Sequence, residues 1–305
     1  MTWTSDAIGD LTGRRAVVTG VTSGLGEHVA LGLLRAGAEV VMAARDERKL
    51  EAAMAKVHSR VPGAALKPLV VDLADLSSVR RAAALASAYG PLDLLVNNAG
   101  VMATPYRRTV DGFELQLGTN HLGHFALTGL LLPRLVEAGD ARVVSVSSQM
   151  HLFARTAPLD DPRSHGRYQR WQAYAQSKLA NLLFAFELDR RARAEGLPLR
   201  AVAAHPGLAS TGLMGAARTL EGSTVRGRIL TGAFAVAGQS AEAGAQAILM
   251  AATANLPGGA YVGPAGFGGL YGAPHVVEPR RLARNREVAR RLWEVSEEAT
   301  GVAYP

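Results

Sequence analysis

The 305-residue sequence contains no cysteine. That excludes a disulfide framework, a thiolate metal site and a cysteine nucleophile, and it suits a reducing compartment such as the cytoplasm. Residues 1–10 have neither a basic start nor an apolar core, so no signal peptide is expected. The most apolar stretch, 122–136, is interrupted by His124, Pro133 and Arg134, so no membrane anchor is expected either. Lysine is scarce, at four residues (Lys49, Lys56, Lys67, Lys178), so arginine carries most of the formal net charge of +7. The arginines are spread along the chain. Their densest group (Arg280, Arg281, Arg284, Arg286, Arg290, Arg291) is interspersed with Glu287 and Glu294. Such a pattern reads as a solvated helix face, and nucleic acid is not an expected partner. With 48% hydrophobic and 19% charged residues, the chain has ordinary globular composition and length enough for a sizeable core.

Short apolar runs alternate with longer helical patterns. Strands are predicted at 15–19, 39–43, 66–71, 92–96, 141–147, 199–204 and 260–262. Helices are predicted near 24–36, 46–60, 75–88, 112–137, 172–194 and 240–253, with a C-terminal helix at about 279–299. Near-continuous apolar strands separated by helices imply a parallel sheet covered on both faces. The predicted fold class is therefore α/β: a doubly wound Rossmann-type sheet of about seven strands in a single domain spanning residues 1–305. Its cofactor-binding part covers about 12–150, and its catalytic and substrate part about 145–275. Two stretches, 207–238 and 257–274, break the alternation; the first reads either as a lid over a pocket or as a long surface loop.

The first predicted strand runs into Thr19-Gly20-Val21-Thr22-Ser23-Gly24-Leu25-Gly26, and a helix follows. Glycines here permit a tight turn and close backbone approach, and the helix N-terminus offers N–H groups to a diphosphate. The second strand ends Ala44-Arg45-Asp46. An acid in place of Ala44 would bind a ribose 2′-hydroxyl; a guanidinium at Arg45 can instead clamp a 2′-phosphate, which favours NADP(H) over NAD(H). Asp46 is expected to cap the next helix. On the helix at 172–194, Tyr174 and Lys178 stand at i and i+4, on one face. A cation beside a phenol favours the phenolate and should lower its pKa toward a range useful for proton transfer.

Together these pieces resemble the short-chain dehydrogenase/reductase family over residues 12–296. The motifs are Thr19-Gly-x-x-x-Gly-x-Gly26, Asp72-Leu73, Asn97-Asn98-Ala99-Gly100, Asn120, Ser147-Ser148, Tyr174-x-x-x-Lys178 and Pro206-Gly207. The retinol-dehydrogenase-like branch is resembled through Asn120-His-Leu-Gly-His-Phe125, Val146-Ser-Ser-x-x-His151, Tyr174-x-x-Ser-Lys-Leu-Ala-Asn181 and His205-Pro-Gly207. The resemblance implies a catalytic group of Asn120, Ser148, Tyr174 and Lys178. Tyr174 would exchange a proton with the substrate oxygen, Ser148 would hydrogen-bond that oxygen, Lys178 would tune Tyr174 and hold the nicotinamide ribose, and Asn120 would hold a water linking Lys178 to solvent. It further implies that Gly20, Thr22, Ser23, Gly24, Leu25 and Gly26 line the diphosphate and that Asp72 and Leu73 meet the adenine. Asn98, Ala99 and Gly100 would line the adenine ribose, Pro206 and Gly207 the carboxamide, and Thr211 would cap the carboxamide or the diphosphate. The family register takes Ser148, not Ser147, as catalytic.

Ser148 and Tyr174 lie 26 positions apart (174 minus 148), because a polar insertion at about 154–170 separates them; the branch has such an insertion. Met102, Gln149 and Leu208 are expected around the substrate, whose apolar surroundings suggest a hydrophobic alcohol, aldehyde or ketone; His151 is expected either to face the substrate or to cap the insertion. His121 and His124 lack a third ligand nearby and are expected to pack beside Asn120 without metal. An idle NADP(H)-binding sensor of the same fold is the alternative function. A homo-oligomer is compatible with the resemblance.

Overall fold

The structure is a computed structural model that describes residues 3–160, 162–163, 168–208 and 239–304. Among these, eight strands form one sheet: β1 (Arg15–Thr19), β2 (Glu39–Ala44), β3 (Leu66–Val70), β4 (Leu94–Asn97), β5 (Ala141–Val146), β6 (Leu199–Ala204), β7 (Tyr261–Pro264) and β8 (Pro274–Val276). Their order is β3-β2-β1-β4-β5-β6-β7-β8. All neighbours are parallel except β7 and β8, which are antiparallel. The helices are α1 (Gly24–Arg35), α2 (Glu47–Arg60), α3 (Leu76–Ser87), the short α4 (Leu115–Leu117), α5 (Gly123–Glu137), α6 (Arg170–Ala194), α7 (Ala241–Thr253) and α8 (Arg286–Thr300).

Strand side chains alternate between faces, so each strand feeds two cores. Ala16, Val18, Met42, Val144 and Val202 pack with α1 and α7, while Val17, Val41, Leu95, Val143 and Ala201 pack with α3 and α5. The chain direction across the sheet reverses between β1 and β4, and the crevice at the carboxyl ends of such strands is where ligands bind in this architecture.

Three elements differ from expectation. The region predicted as one helix over 112–137 is α4, a π-helical stretch Gly118–Leu122, and then α5. Gly123 N–H reaches back to Gly118 O across this widened turn, a device that concentrates at functional sites. The edge strand β8 was not expected; three residues beside a glycine-rich run give too short a pattern to read. The C-terminal helix begins later than predicted: a 3-10 turn Arg281–Arg284 precedes it, and the Asn285 side chain caps it by accepting from Val288 N at 3.1 Å. Its arginines do pair with acids along the helix, as Arg290–Glu294 at 2.6 Å shows. Among the described residues no helix is long and apolar enough to cross a membrane.

Candidate active site

The glycine turn is built as a cradle. Gly20 adopts φ 73°, which β-carbon-bearing residues avoid. A methyl group on Gly26 would sit 2.2 Å from Gly20 O, so only hydrogen fits. Ser23 precedes α1 in extended conformation and makes no side-chain capping bond. The first-turn N–H groups of α1 are therefore left for an anion, with Thr22 and Ser23 alongside at the surface. Leu25 is buried and anchors the turn to the core. This donor set fits the diphosphate of a dinucleotide. Arg45 follows the buried Ala44 and is exposed at the end of β2, beside the crevice. Asp46 caps α2, accepting from Lys49 N at 3.0 Å.

Asn98 joins this cradle to β4. Its Nδ2 donates to Thr19 O at 2.7 Å, and the N–H groups of Asn98 and Ala99 both donate to Thr19 Oγ1 at 2.9 Å. Asp72 is half-buried and spends Oδ1 on Ala74 N at 2.9 Å. Leu73 is buried where α5 passes closest, since a methyl on Gly123 would lie 2.3 Å from Leu73 O.

The structure brings the four expected catalytic residues together from three elements. Tyr174 and Lys178 come from α6, Ser148 from the end of β5, and Asn120 from the π-helical turn. The Tyr174 hydroxyl has the Ser148 side chain as its polar neighbour, which favours the ionised phenol. Lys178 Nζ lies 5.8 Å from the centroid of the Tyr174 ring and donates to Val146 O at 3.1 Å. A methyl on Gly100 would lie 3.0 Å from Asn120 Oδ1 and 3.5 Å from Lys178 Nζ, so these groups face one another across the loop after β4. Ser147 points the other way, as alternation along a strand requires. Its hydroxyl donates to Lys178 O at 2.8 Å and ties α6 to the sheet.

Both polar groups of the Asn120 side chain are engaged. Oδ1 accepts from Val101 N at 2.8 Å, and Nδ2 donates to Val101 O and Ser177 Oγ, each at 2.9 Å.

The electrostatics correct one expectation. Burial pushes the Tyr174 hydroxyl up to about 12, and the neighbouring Ser148 side chain opposes this. Lys178 is itself pushed down to about 8 by burial. The i,i+4 spacing reveals the neighbour but not the loss of water that both groups share. In a dry site the neutral forms gain, so the cofactor-free pocket holds a protonated phenol.

His151 does not face the substrate side. It is 1% exposed, donates from Nδ1 to Ser148 O at 2.7 Å, and directs Nε2 toward Arg280 N at 3.4 Å. Both ring nitrogens face main chain, so His151 braces Ser148 from behind and does not form the pocket wall. Gln149 Nε2 donates to Gly268 O at 2.7 Å, and Leu208 N to Leu270 O at 2.8 Å, which draws the 267–270 segment to this side. Pro206 and Gly207 leave the end of β6, next to β5, and Pro206 O accepts from Gln239 Nε2 at 2.7 Å. Met102 is half-buried between Val101 and Ala103, the latter in left-handed backbone at φ 49°. A groove of about 500 Å³ lined by Pro105, Tyr106, Tyr168 and Trp171 opens at the start of α6, one turn before Tyr174. Thr211 lies outside the described residues, as do 209–238 of the long segment and 161 and 164–167 of the insertion.

Several supporting residues carry no strong local signal. Gln116 Oε1 accepts from Ala103 N at 2.7 Å, and its Nε2 donates to Tyr168 Oη and Arg170 O at 2.8 and 2.9 Å. It thus joins the pocket loop, the insertion and the start of α6. Asn181 Nδ2 donates to Val146 O at 3.0 Å, sharing that acceptor with Lys178. Ser177 and Asn181 lie inside the motif around Tyr174, so a signal for them existed; Gln116 had none. His121 and His124 turn to different partners, His121 Nε2 to Ser296 Oγ at 2.8 Å and His124 to Thr19 and Asn120.

The sequence model of the short chain dehydrogenase family matches residues 14–221. Human retinol dehydrogenase 13 is 38% identical over 297 residues, covering 97% of this chain and 87% of that protein. Mouse polyprenol dehydrogenase is 40% identical over 300 residues, covering 95% and 84% respectively. The crystal structure of an uncharacterised protein from Mycobacterium paratuberculosis superposes with TM-score 0.80 at 44% identity, covering 100% of both chains.

Proposed function

The chain belongs to the short-chain dehydrogenase family, in its retinol-dehydrogenase-like branch, and on that premise we propose that it interconverts an apolar alcohol and its aldehyde or ketone with NADP(H). It is an NAD(P)-dependent oxidoreductase acting on CH–OH groups. The observation that carries the finer reading is the gathering of Tyr174, Ser148, Lys178 and Asn120 at one place.

When bound, the nicotinamide cofactor supplies the hydride for reduction or accepts it in oxidation. This chain's residues position the substrate and manage the proton. In reduction the carbonyl oxygen accepts a hydrogen bond from Ser148 and a proton from Tyr174 Oη as the carbonyl carbon gains the hydride. The phenol that burial keeps protonated is the form this direction needs. Lys178, with its pKa near 8, stands ready to return a proton to the phenolate. Gly20 to Gly26 would hold the diphosphate, Asp72 and Leu73 the adenine, Asn98 to Gly100 its ribose, and Pro206 and Gly207 the carboxamide.

Arg45 supports NADP(H), since an exposed guanidinium follows Ala44 where an acid would repel the 2′-phosphate. The aromatic groove of Tyr106, Tyr168 and Trp171 supports a long apolar substrate. So do relatives named for retinol and polyprenol. The test is turnover of long-chain aldehydes, retinoids and polyprenols with NADPH and NADH. Tyr174→Phe should lower kcat about 10²- to 10⁴-fold while NADPH binding persists. Full turnover by that variant, or tighter binding of NADH than NADPH, would defeat the respective half of the proposal.

A further inference from the structure

We propose that His124 is a positioning residue that couples the dinucleotide cradle to the proton relay. The proposal rests on the catalytic reading above and adds a link within it. His124 is 2% exposed, in the first turn of α5. Its Nδ1 lies 3.0 Å from Asn120 O, and its Nε2 lies 3.0 Å from Thr19 Oγ1. A carbonyl can only accept, so Nδ1 carries the proton and donates to Asn120 O. Nε2 is then an acceptor, and its donor is the Thr19 hydroxyl. Thr19 Oγ1 in turn accepts from the N–H groups of Asn98 and Ala99 at 2.9 Å each. Two accepted bonds and one donated bond exhaust a hydroxyl.

The carbonyl at one end sets the polarity: His124 N–H donates to Asn120 O, Asn98 and Ala99 N–H donate to Thr19, and the Thr19 hydroxyl gives its proton to His124 Nε2 at 3.0 Å in preference to Val96 O at 3.3 Å. Protonating the ring would remove that acceptor and turn the Thr19 hydroxyl toward Val96 O. Burial, with Lys178 adding to it, pushes His124 down to about 4, so the ring stays neutral and the direction holds.

Each end of this chain is a functional surface. Thr19 begins the glycine turn, and Asn98 and Ala99 line the same crevice. At the other end, the His124 N–H reaches the main-chain carbonyl of Asn120, whose side chain holds Val101 and Ser177. A second tie holds the histidine in place: Thr128 Oγ1 donates to His124 O at 2.7 Å and accepts from Asn97 Nδ2 at 2.9 Å. Loop and relay are thus bridged by one ring whose two nitrogens do separate jobs.

The two jobs are separable by substitution. His124→Asn keeps a donor at the δ position, toward Asn120, and loses the reach to Thr19. His124→Gln keeps an acceptor at the ε position, toward Thr19, and loses the Asn120 bond. His124→Leu loses both. Each variant is measured for NADPH affinity by fluorescence titration, for kcat and KM on a reactive aldehyde, and for unfolding temperature. Losing one bond should change the matching quantity by about five- to tenfold. The Asn variant should bind NADPH more weakly with kcat near wild type. The Gln variant should bind normally with reduced kcat and unchanged aldehyde KM. The Leu variant should show both losses. If NADPH affinity and kcat fall in parallel in the Asn and Gln variants, tracking the unfolding temperature, the residue is merely structural and the proposal is overturned. It is equally overturned if neither quantity changes. Tyr174→Phe is run beside them: full turnover there sinks the catalytic reading itself, whereas an inactive Tyr174→Phe with unaffected His124 variants sinks the coupling alone.

Discussion

Replacing Lys178 with methionine should abolish turnover and yet make the cofactor-free protein more stable at neutral pH. Burial lowers the Lys178 pKa from 10.5 to about 8. At about 1.4 kcal/mol per pH unit, that fall costs the folded state about 3 kcal/mol at pH 7, where the group is charged in both states. Methionine removes the charge and keeps the apolar stem. The variant loses the hydrogen bond to Val146 O, worth about 1 kcal/mol. Val146 O is not orphaned, because Asn181 Nδ2 still donates to it at 3.0 Å. The net gain is about 2 kcal/mol, or about 3 °C in Tm for a chain of this length. The pH dependence carries the sharper check. Between pH 8 and 10.5 the unfolded lysine holds its proton while the folded one has lost it, so wild-type stability rises with pH relative to the variant. The advantage of Lys178→Met should therefore be full below pH 8 and vanish by about pH 10.5. Denaturant unfolding of both proteins across pH 7–10.5 measures it. A variant less stable than wild type at pH 7, or a difference that does not change with pH, would refute the claim that desolvation governs this lysine.

Arg45→Ala should weaken NADPH binding about tenfold and leave NADH unchanged, as paired titrations would show, since one charge-assisted hydrogen bond at a partly solvated site is lost. Gly26→Ala should abolish binding of either cofactor, because its methyl would stand 2.2 Å from Gly20 O and the turn would have to open; unchanged affinity would contradict the cradle. Ala103→Gly should raise stability by about 1 kcal/mol in thermal unfolding, because Ala103 holds φ 49° against its own β-carbon. That gain should come with a higher KM for apolar substrates as Met102 loosens.

Much of the site is readable in one dimension because its parts are short and local. The glycine turn is a backbone requirement that only glycine meets, so its spacing survives in the sequence. Tyr174 and Lys178 share a helix face through a four-residue offset. Asp46 announces α2 by standing before it. The alternating apolar runs specify strands because side chains alternate across a pleat, and seven of the eight strands follow from that pattern. The eighth, Pro274–Val276, is too short to carry a period.

What escapes the sequence depends on sums over residues far apart in the chain. Gln116 matters because it meets Ala103, Tyr168 and Arg170 at once, and nothing around position 116 encodes that meeting. The π-helical turn that carries Asn120 looks like ordinary helix when read residue by residue. Its position after Ser148 leaves His151 either facing the substrate or capping the insertion, and packing turns it behind Ser148. The clearest case is the pair that spacing alone identifies. Identity and offset decide that a phenol and an ammonium are neighbours. Whether the ammonium lowers the phenol pKa is decided by how much water the whole fold removes from both, and here folding removes enough that Tyr174 rises and Lys178 falls.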